Sequence, residues 1–204
     1  MSYLFIDSTY DLTIGVLDDG LRWLSFERHT GQKASAIIQA RAYKLLSDAN
    51  IKPQDLSGII TVNGPGFYTG LRLAEGFSDV FKFFGVKQYS FYSYEIPLWC
   101  GYSEGVWFTK AYRGEYFFYR WQGLNSSQTL IPTKELESSV KDEKFFIHSS
   151  ASLDNLSTSL ILNPVETHEL LKTQSQKIFT EVLKSSYREP FYFRAPEDEF
   201  KVNP

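Results

Sequence analysis

An α/β fold of two lobes, residues 1–100 and 101–204, each of order β-β-β-α-β-α, is what this sequence predicts. Three observations carry that expectation. Hairpin-spaced apolar strands open the chain, the apolar period then switches from alternation to helical spacing, and the strand Gly58–Asn63 ends at a Gly-Pro-Gly corner before a second apolar helix. A weaker echo of the same order follows, so the second lobe is expected to be a degraded copy of the first.

Tyr3–Asp7, Leu12–Asp18 and Leu21–Arg28 read as three consecutive strands. Asp18-Asp19-Gly20 joins the last two, because Asp and Gly tolerate positive φ. Gln32–Ala49 has helical period, with Ala34, Ile37, Ile38, Leu45, Leu46 and Ala49 on one side, and Pro53 punctuates its exit. After Gly58–Asn63 and the corner, a helix is expected over Thr69–Phe84. Leu73, Phe77, Val80, Phe81 and Phe84 form its apolar stripe, Gly85 ends it, and Gln88–Tyr92 is the next strand. Hairpin strands that helical crossovers extend in parallel match one lobe of the actin-like, Hsp70-like (ASKHA) and sugar-kinase architecture.

In the second half, Gly105–Lys110 and Tyr116–Gln122 read as a strand pair, with Ser127–Ile131 as a third strand and Thr133–Val140 as a short helix. Lys144–His148 and Ser159–Leu162 read as short buried strands. Pro164–Ser186 reads as mostly helix, with Leu170, Leu171, Ile178, Val182 and Leu183 in the core. The apolar tail Pro190–Arg194 is expected to pack, and Glu197–Glu199 to fray.

Composition narrows the function classes. A net charge of −3 without a Lys/Arg cluster argues against a chain that grips nucleic acid unaided. The opening Met-Ser-Tyr-Leu-Phe-Ile-Asp meets an acid at position 7 and reads as a strand, not a leader. No apolar run approaches ~18 residues, so no membrane span is expected. Cys100 is the single cysteine, which fits a cytoplasmic protein.

The corner Gly64-Pro65-Gly66, with Thr69 as candidate N-cap, would aim free N–H groups at an anion, so Asp7, Gly64, Gly66 and Thr69 are candidate ligand-loop residues. The spacing is neither the dinucleotide fingerprint nor a P-loop, and a tight turn without ligand is the plainer reading. Asp7 is read as a turn cap rather than a magnesium ligand. His29, His148 and His168 have no His-x-x-x-His spacing, so they read as unconnected, and no Gly-x-Ser-x-Gly elbow is present. Cys100, in an apolar setting, reads as inert.

Four segments in order resemble a known family. They are Phe5-Ile6-Asp7-Ser8-Thr9, Asn63-Gly64-Pro65-Gly66-Phe67-Tyr68-Thr69-Gly70-Leu71-Arg72, Arg113-Gly114-Glu115-Tyr116 and Pro190-Phe191-Tyr192-Phe193-Arg194. Together they resemble the B subunit (TsaB, YeaZ) of the bacterial machinery that makes threonylcarbamoyladenosine in tRNA. The resemblance implies a non-catalytic scaffold without cofactor or metal. Its first-lobe helices would pair with the catalytic D subunit (TsaD) or with a second copy, with an ATPase E subunit (TsaE) in the assembly and tRNA reached only indirectly. The interface candidates are Gln39 and Tyr43 on the first helix and Leu71, Ala74, Glu75 and Ser78 on the second, so Leu71→Arg or Ala74→Arg is expected to break pairing and spare the fold. Arg72 and Arg113 are candidates for lobe-bridging or partner ion pairs. The sequence departs from the family pattern at Ala34, Phe67, Asp79 and Lys110. The rival reading is an independent actin-like ATPase or small-molecule kinase, with Asp7, Gly64 and Gly66 at the nucleotide. Against it, the turn Ser8-Thr9-Tyr10-Asp11 has no glycine, and Tyr10 would crowd a phosphate.

Overall fold

The structure is a computed structural model that describes residues 1–111, 114–140, 144–148, 164–185 and 187–193. Alternation in the first strand shows why two cores form. In β1 (Tyr3–Asp7), Leu4 and Ile6 point to one face and Phe5 to the other. Such a strand has to be central, and it is: β2 (Leu12–Leu17) pairs with it antiparallel and β4 (Gly58–Val62) parallel. With β3 (Trp23–His29) and β5 (Lys87–Phe91) at the edges, the first sheet has the order β3-β2-β1-β4-β5.

Two 15-residue helices cover the outer face, α1 (Ala34–Asp48) and α2 (Tyr68–Lys82). Helix α1 buries Ile38, Leu45 and Leu46 of its expected stripe and also Ala42, while Ala34, Ile37 and Ala49 are partly buried. The stripe expected on α2 is corrected. That helix buries Leu71, Ala74, Ser78 and Phe81, while Val80 and Phe84 stand exposed. Ala74 and Ser78 let α2 lie close to the sheet, and of the expected stripe Phe81 is the buried member.

The second half repeats the path. Strands β6 (Glu104–Lys110), β7 (Glu115–Gln122) and β8 (Asn125–Pro132) form an antiparallel meander. Strands β9 (Phe145–Ile147) and β10 (Val165–Glu166) then add in parallel on the far side of β6, giving the order β10-β9-β6-β7-β8. The strand expected at Ser159–Leu162 lies outside the described residues. Short α3 (Glu95–Trp99) links the sheets, and α4 (Leu136–Ser139) covers the outer face of the second.

The long helix expected over Pro164–Ser186 is two helices, α5 (Thr167–Thr173) and α6 (Ser175–Val182), separated at Gln174. Both pack between the sheets. Phe179 is fully buried, and its ring meets Phe5, Trp23 and Phe91 of the first sheet at 5.6, 5.4 and 6.3 Å. The same continuous core takes in Trp107, Phe117 and Phe146 of the second sheet. Aromatic burial on this scale is the main force joining the halves.

Candidate functional site

The C-terminal ends of the parallel strands, where α/β sheets commonly place their sites, meet at the junction of the two sheets. At this junction the Gly-Pro-Gly corner follows β4 and His148 follows β9. The corner's glycines are explained by what touches them. A Cβ on Gly70 would lie 1.9 Å from the Ser8 carbonyl oxygen, one on Gly66 would lie 2.8 Å from Thr9 Cβ, and one on Gly64, at φ 113°, would lie 2.5 Å from the Phe191 carbonyl oxygen.

The C-terminal segment closes the corner. Phe191 N–H donates to the Asn63 carbonyl at 2.8 Å, Asn63 Nδ2 donates to the Arg188 carbonyl at 2.6 Å, and Tyr192 bridges Gly66. The Phe67 N–H donates to the Thr9 carbonyl. Gly64 and Gly66 thus pack against protein atoms. Thr69 is not the N-cap: that position is Phe67, without a side-chain cap, and Thr69 lies exposed in the first helical turn.

Beside the corner, a cleft of about 470 Å³ opens between the β1–β2 turn and the N-termini of α1 and α2. Tyr10, Lys33, Ser35, Phe67 and Thr69 are among the residues that line it. The Tyr10 ring packs on Phe67 at 4.8 Å and on His148 at 5.2 Å, and its hydroxyl donates to the Lys110 carbonyl. Tyr10 therefore ties the first-sheet turn to the second sheet.

Behind Tyr10 lies a cluster that the sequence reading missed. Asp7, His148 and His168 converge with side chains at most 5% exposed, which corrects the expectation of three unconnected histidines. Asp7 Oδ1 caps its turn, as expected, accepting from Thr9 N–H at 3.0 Å and Thr9 Oγ1 at 2.6 Å. Its Oδ2 has no hydrogen-bond partner and lies 3.4 Å from His148 Nε2 and 3.3 Å from His168 Nε2. Thr9 Oγ1 is 2.9 Å from His148 Nε2, and Thr13 Oγ1 is 3.1 Å from His168 Nε2. His168 Nδ1 donates to the His148 backbone carbonyl at 2.8 Å.

Burial pushes the His148 pKa well below the usual imidazole range, and Asp7 opposes that only in part. Burial alone would raise Asp7, but the two histidines and the Thr9 hydroxyl outweigh it, so Asp7 stays below the ordinary carboxylate range. His29 is elsewhere, paired with Glu27 at 2.9 Å. One sequence signal for His148 existed: a polar residue directly after a short apolar parallel strand, the position Asn63 holds after β4.

The remaining candidates separate. Leu71, Ala74 and Ser78 are 2%, 1% and 1% exposed, so their assignment to an outer face is corrected. Leu71→Arg or Ala74→Arg would put a charge into the chain's own core. Gln39 and Tyr43 are exposed on α1. Glu75 is half-buried and pairs with Arg72 at 2.5 Å. Arg72 also lies over the rings of Tyr68 and Tyr192, at 5.5 and 5.6 Å, and so holds the C-terminal segment against α2. Arg113 lies outside the described residues. Cys100 is half-buried, and burial pushes its thiol up to about 11, with Lys177 opposing. Among the described residues no helix is long and apolar enough to cross a membrane.

No protein-family model matches the chain. A curated relative, the tRNA threonylcarbamoyladenosine biosynthesis protein TsaB of Bacillus subtilis (strain 168), is 35% identical over 74 residues, 36% of this chain. The match spans 32% of that relative's length. Among solved structures, YeaZ from Pseudomonas aeruginosa aligns with a TM-score of 0.54 at 19% identity, covering 65% of this chain and 68% of its own. A second, described as an uncharacterized protein with similarity to peptidase YeaZ from Pseudomonas aeruginosa, aligns with a TM-score of 0.65 at 17% identity, covering 95% of this chain and 99% of its own. These two structures bear on the fold, which is actin-like, with the same spatial order of strands in both sheets. The chain is thus similar to TsaB over the aligned stretch and shares its fold with these two solved structures.

Proposed function

We propose that this chain is a non-catalytic subunit in the formation of threonylcarbamoyladenosine in tRNA, docking the catalytic D subunit through α1 and α2, with the ATPase E subunit reached through that partner. The observation that carries the reading is the 35% match to a curated biosynthesis protein of that pathway. Two features of the molecule support a scaffold role. The β1–β2 turn, where an actin-like nucleotide enzyme needs room for phosphate, is filled by Tyr10 against Phe67 and His148. The corner glycines face Thr9, Ser8 and Phe191 rather than open space.

The docking surface differs from the one expected from sequence. Gln39, Tyr43 and Glu75 stay in it, while Leu71, Ala74 and Ser78 drop out. In their place come Val80, Phe83 and Phe84 around the end of α2, which are 53%, 90% and 54% exposed; Tyr43 is 76% exposed. Apolar groups left in water on one pair of helices are what a partner would cover.

The test is co-purification with the D subunit from the same cell. Phe83→Asp and Tyr43→Asp together should weaken pairing at least ~10-fold, the loss of roughly 1.4 kcal/mol, with an unchanged melting temperature. Undiminished co-elution would refute the surface, and failure of the native chain to bind the D subunit would refute the role. Titration of the lone chain with ATP and Mg²⁺ covers the rival: tight binding with turnover would make it an enzyme.

A further inference from the structure

The geometry around Asp7 gathers two imidazoles on one buried carboxylate oxygen. The His148 carbonyl can only accept, so His168 Nδ1 carries a proton. The other ring nitrogen, Nε2, faces Asp7 Oδ2 at 3.3 Å. Oδ2 itself has no donor, although the site is closed to water. A buried carboxylate oxygen without a hydrogen-bond donor is a group that a bound cation satisfies.

We propose that Asp7, His148 and His168 bind a divalent transition metal of the zinc class, which staples the first sheet to the second. The donor set is two imidazoles and one carboxylate, a combination that zinc takes at ~2.0–2.2 Å. Tetrahedral coordination at that radius separates ligand atoms by roughly 3.3–3.6 Å. The two Oδ2–Nε2 separations are 3.3 and 3.4 Å, and all three ligand atoms lie within 4.8 Å of one another.

For His168 and Asp7 the surrounding contacts are those that orient metal ligands, while His148 Nδ1 has no hydrogen-bond partner. Nδ1–H of His168 is held by a backbone carbonyl, and Oδ1 of Asp7 is held by Thr9, leaving Nε2 and Oδ2 directed inward. Thr9 and Thr13 place hydroxyls beside the two nitrogens, so small oxygen donors surround the fourth position. The ligands come from β1, the residue after β9 and the first turn of α5. Bound metal would therefore join segments of both sheets and add its binding energy to the fold. This inference stands apart from the proposed role in tRNA modification, because no partner or tRNA enters the argument.

The experiment uses the untagged, full-length chain. Elemental analysis after purification should find about one zinc per chain. Chelator-stripped protein should gain roughly 5–10 °C in melting temperature when zinc is restored at ~100 times its dissociation constant. Cobalt(II) in place of zinc should give the visible absorption of a four-coordinate site.

Asp7→Asn is the decisive variant. It keeps the oxygen that caps Thr9 and turns Oδ2 into a donor for His168 Nε2, so it should fold while losing the metal, the thermal shift and the cobalt band. His168→Gln should lose them too, and His29→Gln should keep all three. Absence of metal from the native chain together with no thermal response to zinc would overturn the proposal, as would an Asp7→Asn protein that still responds.

Discussion

The first sheet runs β3-β2-β1-β4-β5 and the second β8-β7-β6-β9-β10, the same path twice, yet their surroundings differ. The first carries two 15-residue helices on its outer face, whereas among the described residues the second carries the four-residue α4 on its outer face. Helix α6 comes from the second half of the chain, but its Phe179 packs on Phe5 and Phe91 of the first sheet. Strand order follows from short, right-handed connections and can recur in a diverged sequence. What the connections contain is free to change, and at the ends of the parallel strands it has: a glycine corner after β4, a histidine after β9.

The largest effect should come from breaking the core that the two sheets share. Phe179→Ala removes a fully buried ring that contacts three aromatic residues of the first sheet, and should cost about 3–5 kcal/mol. If the halves are one cooperative unit, the variant melts in one transition at lower temperature. Two resolved transitions would show that the sheets unfold separately.

Next comes the corner. Gly70→Ala places a methyl group 1.9 Å from the Ser8 carbonyl oxygen, and should cost about 3 kcal/mol in denaturant unfolding. A loss below ~1 kcal/mol would mean that α2 can shift away from the β1–β2 turn at little cost. The smallest change should be stabilising. Gly76 lies inside α2 with no neighbour within 4 Å of an added Cβ, so Gly76→Ala should raise stability by roughly 0.8–1.0 kcal/mol. Measured together, the two substitutions separate a glycine required by contact from one that only loosens a helix.

The first half was the more legible in sequence because its signals are local. Hairpin strands, an Asp-Asp-Gly turn and two long periodic helices lie within short windows, and each appears within a few residues of its expected bounds. The face of α2 was misread because the expectation followed bulk. Phe84 and Val80 were assigned inward by size, while Ala74 and Ser78 are the residues that let the helix approach its sheet. The break at Gln174 has no proline or glycine to announce it.

The candidate site was half legible. Asp7 as a turn cap follows from its place at a strand end, but its second oxygen meets histidines that only the pairing of β9 with β6 and the docking of α5 bring near. Spacing rules detect ligands on one helix or loop. They are silent on ligands gathered from three separate elements.

The C-terminal segment has a consequence for how this polypeptide is made. Asn63 and Ser90 belong to the first sheet's rim, yet their polar groups are satisfied by Arg188 and Phe191. While the ribosome is still extending the chain, the early half can assemble its strands but leaves this rim without its partners. Residues 187–193 can supply those partners only after they have emerged.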